Sequence, residues 1–293
     1  MRAGAALALL VALAGPVVAQ ESAPSAAARA RPAPPAPMQL PPAEAVRSIP
    51  APEARQGVAV DAEHFYAVVN SRIGKYRKAD GAKVGEWVGD GIAIRHLNSC
   101  VVDGSELVCA NSNFPDTPMA NSIEIFDPAS MKHLRSIPLG VRDGSLTVLE
   151  RHEGRWWAIF ANYDAPRSHL GRTHRDTKVV LFSDQWAELG GYALPDSVLS
   201  RLAPHSISGG SFGPDGLLYL TGHDAPEIYV MRSPRQGPLL EHVATIPVPF
   251  EGQAWAWDRS AGRTIYAIRR RAGEVVIVDV PDVASFPEAP HTK

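Results

Sequence analysis

The sequence predicts an all-β fold, a five-bladed β-propeller of four-stranded blades whose ring is closed by an N-terminal strand. Three observations carry the prediction. A unit of four short strands recurs at the ~40–50-residue spacing of propeller blades. The second strand of each unit is an apolar run with a polar end: HFYAVVN (64–70), ELVCAN (106–111), RWWAIFAN (155–162), LLYLTGH (217–223) and TIYAIRR (264–270). The fifth unit stops at Val280-Pro281 without a fourth strand, while AVRSIP (45–50) echoes the fourth-strand segment LRSIP (134–138). Residues 45–50 are therefore expected to pair onto the last blade, which leaves no open gap in the ring. The competing reading leaves them in the preceding tether.

Residues 1–19 read as a signal peptide: Arg2 is the basic start, 5–14 the apolar run and Val17-Val18-Ala19 the small-residue cleavage site. The apolar run is short for a membrane span. An uncleaved anchor is the alternative, and no Cys follows the run to take a lipid. Residues 20–43 are mostly Ala, Pro, Ser, Arg and Glu. Such a composition buries too little apolar area to offset its ordering entropy, so it reads as a disordered or polyproline-like tether. The propeller is then 44–283 and a polar tail 284–293. Export makes the expected location periplasmic or secreted, with no membrane span after cleavage. The net charge of −2 with interspersed signs excludes a nucleic-acid groove. Oligomeric state has no sequence signal.

Inner strands are expected at 56–61, 98–103, 144–151, 208–213 and 252–258, each followed by a Gly- or Asp-containing hairpin turn such as Asp103-Gly104 or Asp215-Gly216. Third strands such as SIEIFD (122–127) and EVVIVD (274–279) are rich in β-branched residues. Only 195–202 reads as a short helix. Cys100 and Cys109 are the chain's two cysteines. If Gly104-Ser105 is the hairpin loop, Asp103 faces Glu106 and Cys100 faces Cys109, close enough for a disulfide. A one-residue shift of the loop instead leaves two buried thiols.

Strand direction alternates within a blade, so the start of each inner strand and the end of each second strand share one face. Polar residues concentrate there. The candidate ligand-orienting set is Gln56, Asn70, Asn98, Ser99, Asn111, Asn113, Ser145, Asn162, Tyr163, Arg175, Ser208, Gln253, Arg269 and Arg270. Amides and hydroxyls suit a polyoxygenated ligand, and the arginines suit a carboxylate. His96 and His223 are candidate proton carriers, with Asp224 beside His223 as its partner. The bland reading of His223-Asp224 is a turn stabiliser. The longest connection on this face, NYDAPRSHLGRTHRDT (162–177), is either a lid or a surface loop.

Gly209-Gly210-Ser211-Phe212-Gly213 matches G-x-S-x-G, but that motif requires a strand-to-helix turn. Here it enters an inner strand, where small residues fit a crowded axis. His96, His205 and His223 have no metal-motif spacing. No cofactor is predicted, and a metal ion such as calcium stays open. Paired-carboxylate chemistry has candidates in Asp90, Asp164, Asp176, Asp224 and Glu251, none of them deep on an inner strand.

The blade signatures QGVAVD…FYAVVNSRIGKY (56–76), HLNS…ANSNFP…SIEIFD (96–127), GSLT…WWAIFANYD (144–164), SGGSFGPDGLLYLTGHDAPEIYV (208–230) and GQAWAWDR…YAIRR (252–270) resemble a family of exported bacterial and fungal propeller proteins labelled "cycloisomerase". The resemblance covers essentially the whole domain. It implies an exported propeller with lyase or isomerase chemistry on a small acid, in the manner of muconate lactonisation. The fungal muconate-lactonising propellers have seven blades, against the five counted here. Two functions are therefore expected: an enzyme of lyase, isomerase or hydrolase type acting on a small anionic or sugar-like molecule at the channel mouth, or a non-catalytic ligand- or protein-binding scaffold using the same face.

Overall fold

A computed structural model describes residues 35–286. The expected leader, residues 20–34 of the tether and residues 287–293 of the tail lie outside the described residues. Strands β1 (Met38–Gln39) and β2 (Glu44–Pro50) come first. Blade one is β3 (Gly57–Val60), β4 (His64–Val69), β5 (Arg72–Arg77) and β6 (Lys83–Val88). Blade two is β7 (His96–Asp103), β8 (Glu106–Ser112), β9 (Ala120–Asp127) and β10 (Lys132–Val141). Blade three is β11 (Ser145–His152), β12 (Arg155–Ala161), β13 (Lys178–Phe182) and β14 (Glu188–Ala193). A short helix, α1 (Asp196–Leu199), leads to blade four: β15 (Gly209–Phe212), β16 (Leu218–Thr221), β17 (Glu227–Arg232) and β18 (Glu241–Pro247). Blade five is β19 (Ala256–Trp257), β20 (Thr264–Arg269), β21 (Glu274–Asp279) and, as its outer strand, β2.

The chain is thus a five-bladed propeller. The N-terminal strand closes the ring, with Ile49 opposite Val275 and Ser48 opposite Val276. The hairpin β7–β8 has the register counted from its turn: Asp103 faces Glu106, and Cys100 faces Cys109, to which it is disulfide-bonded with Cα atoms 4.0 Å apart.

The expected tether ends earlier than residue 43. Met38 and Gln39 pair in parallel with Ala244 and Thr245 on the outer edge of blade four. Leu40 N–H donates to Thr245 O at 3.0 Å and Ala43 N–H to Pro247 O at 2.9 Å, and both side chains are buried. In this proline-rich stretch Met-Gln-Leu supplies the apolar side chains and backbone donors that the surrounding prolines lack.

The core is a set of apolar layers between blades rather than one central mass. The aromatic residues of the second and third strands fill them: Phe65, Tyr66, Phe126, Phe160, Tyr219 and Tyr229 are essentially solvent-free. Each such ring removes ~150–250 Å² from water, the largest single contributions to cohesion between blades. At the axis, adjacent inner strands touch. A Cβ on Gly209 would lie 2.2 Å from Gln253 O, and one on Gly252 would lie 2.1 Å from Gly222 O. Gly209 is glycine because blade four meets blade five there, whereas Gly210 is confined by Leu220 of its own blade and Val148 of blade three.

Side-chain hydrogen bonds join successive blades near the axis. Asn98 Nδ2 donates to Leu146 O at 2.8 Å, Thr147 Oγ1 to Ile207 O at 2.8 Å, and Thr221 Oγ1 to Gln253 O at 2.8 Å. The ring continues through Ala254 N–H to Gln56 O (3.2 Å) and Leu97 N–H to Asn70 O (2.8 Å). Much of the buried polar lining is therefore consumed in holding blades together.

Candidate functional site

The side chains on the predicted mouth face form two populations. The first is structural. Asn111 Oδ1 accepts from the backbone N–H of Arg95 (3.2 Å) and His96 (3.1 Å), shaping the entry to β7. Asn113 spans its own loop, to Pro118 O (3.1 Å) and from Ala120 N (2.9 Å). Asn162 Nδ2 donates to Asp143 O at 2.7 Å. Ser145 bonds Ser112 (2.8 Å), Ser99 accepts from Leu149 N (3.1 Å), and Ser208 donates to Ser206 O (3.4 Å). Asn98 and Gln253 belong to the inter-blade ring described above. Apart from the half-buried Asn113, these residues are buried, and Asn162 Oδ1 is the one buried side-chain atom among them left without a partner.

Two predicted arginines do not reach the mouth. Arg269 donates to Pro249 O (3.0 Å) and Ser48 Oγ (3.1 Å), on the outer side of blade five. Strand alternation turns its neighbour Arg270 the other way. Arg175 forms an exposed ion pair with Asp196 at 2.5 Å.

The second population is an arc of rings. His96 lies 5.1 Å from Phe114, Phe114 lies 5.1 Å from Tyr163, Tyr163 lies 6.5 Å from His205, and His205 lies 4.0 Å from His223, all centroid to centroid. Each ring sits at or just before the start of an inner strand, or just past the end of a second strand. On the blade-one side, His96 Nδ1 and Gln56 Nε2 both reach Asn70 Oδ1, at 3.0 and 3.5 Å. Asn70 sits at φ 43°, in the left-handed region that Asn tolerates. Burial pushes the His96 imidazole down to about 4. Burial likewise pushes the Tyr163 phenol up to about 12.

The chemistry concentrates at the other end of the arc. Asp224 accepts from His205 Nδ1 (2.6 Å) and from His223 Nδ1 (2.7 Å) with its two oxygens. His223 Nε2 stands 2.8 Å from Arg270 Nη1, and His205 Nε2 stands 3.4 Å from Arg167 Nη1. A guanidinium only donates, so both Nε2 atoms are acceptors and both imidazoles carry their proton on Nδ1. The result is one chain, Arg270–His223–Asp224–His205–Arg167. Burial together with the neighbouring His205 and Arg270 holds His223 below the usual imidazole range despite Asp224. Burial would raise Asp224, but the two imidazole donors outweigh it and hold its carboxyl below the usual range.

Arg270 is fixed from behind: its backbone N–H donates to Glu251 Oε2 at 3.0 Å. Arg167 leaves the 162–177 loop and lies over Phe114, 5.8 Å from the ring centre. The rest of that loop is packed. His174 bonds Asp164 at 2.8 Å, Thr173 and Asp176 cap a single 3₁₀ turn, and His169 is solvent-free. Sequence reasoning missed Arg167, one of three arginines in the loop, and gave His205 no role beyond a possible ligand. Only the fold selects them.

His205, His223 and Asp224 also bring metal-ligand-type atoms within 4.8 Å of one another. Two imidazoles and a carboxylate suit a transition metal and not calcium, which prefers oxygen donors. Ligation through Nδ1 would require both imidazoles to change tautomer against the two arginine donors, so the residues fit the hydrogen-bonded chain better than a metal.

No protein-family model matches the chain, and no curated protein matches it. Among solved structures it is similar to a chain of a structure titled "Crystal Structure of Mitotic Checkpoint Complex", at 12% identity and TM-score 0.45, covering 92% of this chain and 100% of that one. It is also similar to a structure of luciferin-regenerating enzyme, at 10% identity and TM-score 0.48, covering 80% of this chain and 95% of that one. At these similarities neither neighbour bears on function.

Proposed function

We propose that this propeller is an exported enzyme that acts on a small anionic molecule at the mouth, by general acid–base chemistry of the lyase, isomerase or hydrolase type. The observation that supports the reading is the chain Arg270–His223–Asp224–His205–Arg167. It puts two cationic donors and two oriented imidazoles around one half-exposed spot. Asp224 fixes the tautomer and stabilises the imidazolium that forms when a histidine takes a proton, the role a carboxylate plays behind any catalytic imidazole. The guanidiniums hold the anionic group. Export agrees with the leader-like residues 1–19 and with the Cys100–Cys109 disulfide, which persists in an oxidising compartment. Among the described residues no helix is long and apolar enough to cross a membrane.

The test is a turnover screen of lactones, unsaturated acids, sugar acids and esters, followed by NMR. Conversion that falls ~10²–10⁴-fold in both His223→Ala and Asp224→Asn supports the reading. Undiminished conversion in both variants sinks it. Saturable binding with no turnover of any compound favours the scaffold reading of the same mouth.

A further inference from the structure

The resting arrangement has a chemical peculiarity. The lone pair that a catalytic imidazole would use, Nε2 of His223, is occupied by Arg270 at 2.8 Å, and that of His205 faces Arg167 at 3.4 Å. As long as these contacts stand, neither imidazole can accept a proton at Nε2, and Nδ1 already carries one. The two groups best suited to bind an anion are the same two groups that block the base. The charges around the spot are countable. Arg167 and Arg270 supply two positive charges and Asp224 one negative, with both imidazoles neutral, so the chain carries a net +1. Glu251, the other carboxylate beside Arg270, is matched by Arg271 at 3.5 Å. Tyr163, its phenol pushed up to about 12, adds no charge near neutrality. A single carboxylate brings the chain to neutrality. Beside it lies one partly exposed aromatic ring, Phe114, backed by the buried Tyr163 and with Arg167 lying over it.

We infer that the ligand is a monocarboxylate with a flat, apolar body, and that its arrival uncovers the base. The carboxylate takes the guanidiniums of Arg270 and Arg167 in place of the two imidazoles, its body lies along Phe114, and Nε2 of His223 turns from a blocked acceptor into a free one. Charge-assisted guanidinium–carboxylate bonds are stronger than the bond from a guanidinium to a neutral imidazole, so the exchange runs toward the anion, with Arg270 Nη2 keeping its 3.5 Å approach to Asp224 Oδ1. No covalent bond is made or broken in this step, and the proton on Nδ1 stays with Asp224 as its partner. The device confines an active base to the moment when an acid ligand is present. The inference rests on the anion-binding part of the proposed function and adds to it the ligand's class and the order of events.

The experiment uses the full chain labelled with ¹⁵N-histidine and benzoate as the probe, with benzamidine as the cationic control of the same shape. In free protein the ring ¹⁵N shifts should report Nδ1–H for both His205 and His223. Benzoate should bind saturably and move the His223 titration midpoint upward. Arg270→Gln and, separately, Arg167→Gln should weaken benzoate about tenfold or more. Arg270→Gln alone should raise the His223 midpoint with no ligand present. Benzoate that binds and leaves His223 where it was overturns the uncovering while the anion site stands. Benzamidine binding as tightly as benzoate, or benzoate failing to bind, overturns the ligand class. If His223-dependent turnover of an uncharged compound appears alongside that failure, the acid–base reading survives without this inference.

Discussion

The two ends of the ring are made by the same repeat and use their carboxylates in opposite ways. At the far end Asp61, Asp215 and Asp258 each follow an inner strand and accept hydrogen bonds from their own turn. Asp61 accepts from the backbone of Glu63 and His64 and from Tyr66 Oη at 2.6 Å. Asp215 accepts from Tyr219 Oη at 2.7 Å, and Asp258 holds Ser260 and Lys78, the latter at 2.5 Å. At the mouth Asp224 serves no turn of this kind. It collects two imidazoles from separate segments, and each of those faces an arginine from a third. These far-end carboxylates accept from fixed donors of their own turn, with Lys78 of blade one added at Asp258, whereas the mouth's polar chain ends in two arginine side chains. That difference separates a structural polar group from one available to a ligand better than burial or residue type does.

The largest expected effect is functional and confined to the mouth. Asp224→Asn and His223→Ala should lower turnover ~10²–10⁴-fold while shifting thermal stability by less than about 1 kcal/mol, the range of partly exposed polar sites. A loss of stability as large as that at the far end would erase the contrast. The next effect lies at that far end. Asp258→Ala leaves Lys78, itself 14% exposed, without its partner, and should destabilise the fold by about 3 kcal/mol, read as a lowered unfolding midpoint in denaturant with ligand binding unchanged.

Converting both cysteines to Ser should cost ~2–3 kcal/mol, the scale for a short closed loop. Calorimetry of the Cys100→Ser/Cys109→Ser double variant against wild type checks it.

Acidification should sharpen the comparison further. Burial would raise Asp61 and Asp258. Hydrogen bonds from Tyr66, His64 and Glu63, and from Lys78 and Ser260, outweigh it, and both carboxyls sit below their usual 3.8. A carboxyl lowered in the folded state adds stability that is fully present above its unfolded pKa. That stability should hold above the ordinary aspartate range and disappear as the pH falls through the folded values beneath it. Denaturant midpoints from pH 6 downward test the sign. Asp61→Asn should flatten the loss. The smallest effect is expected at Arg269 and Arg175. Their removal should change benzoate binding by less than twofold, because neither points at the mouth.

Much of this was legible in the sequence because repetition reports what every blade needs. The closing strand was visible as AVRSIP echoing LRSIP, and the cysteine register followed from counting outward from Gly104-Ser105. The same logic explains the reading of Asn111 and Asn162. They recur at the ends of second strands because each ties down the approach to an inner strand, a requirement of the fold. The positions that break the Asn pattern, His223 and the Arg269-Arg270 pair, include the groups that meet at the mouth. Residue 269 or 270 could not be chosen without knowing which way β20 alternates at its end. Arg167 carried no signal of its own among the loop's arginines. The Met38–Gln39 strand is two residues long and leaves no periodicity to detect.

That small strand has a mechanical consequence. The chain is gripped along blade four by β1 and, four residues later, becomes the outer strand of blade five as β2. A pull on the residues before Met38 is therefore borne first by the β1–β18 contact, and the seal between first and last blades is shielded behind it. The arrangement is a cable clamp: a load arriving from the N-terminal side would have to strip the clamp from one blade before it could begin to peel the strand that closes the ring.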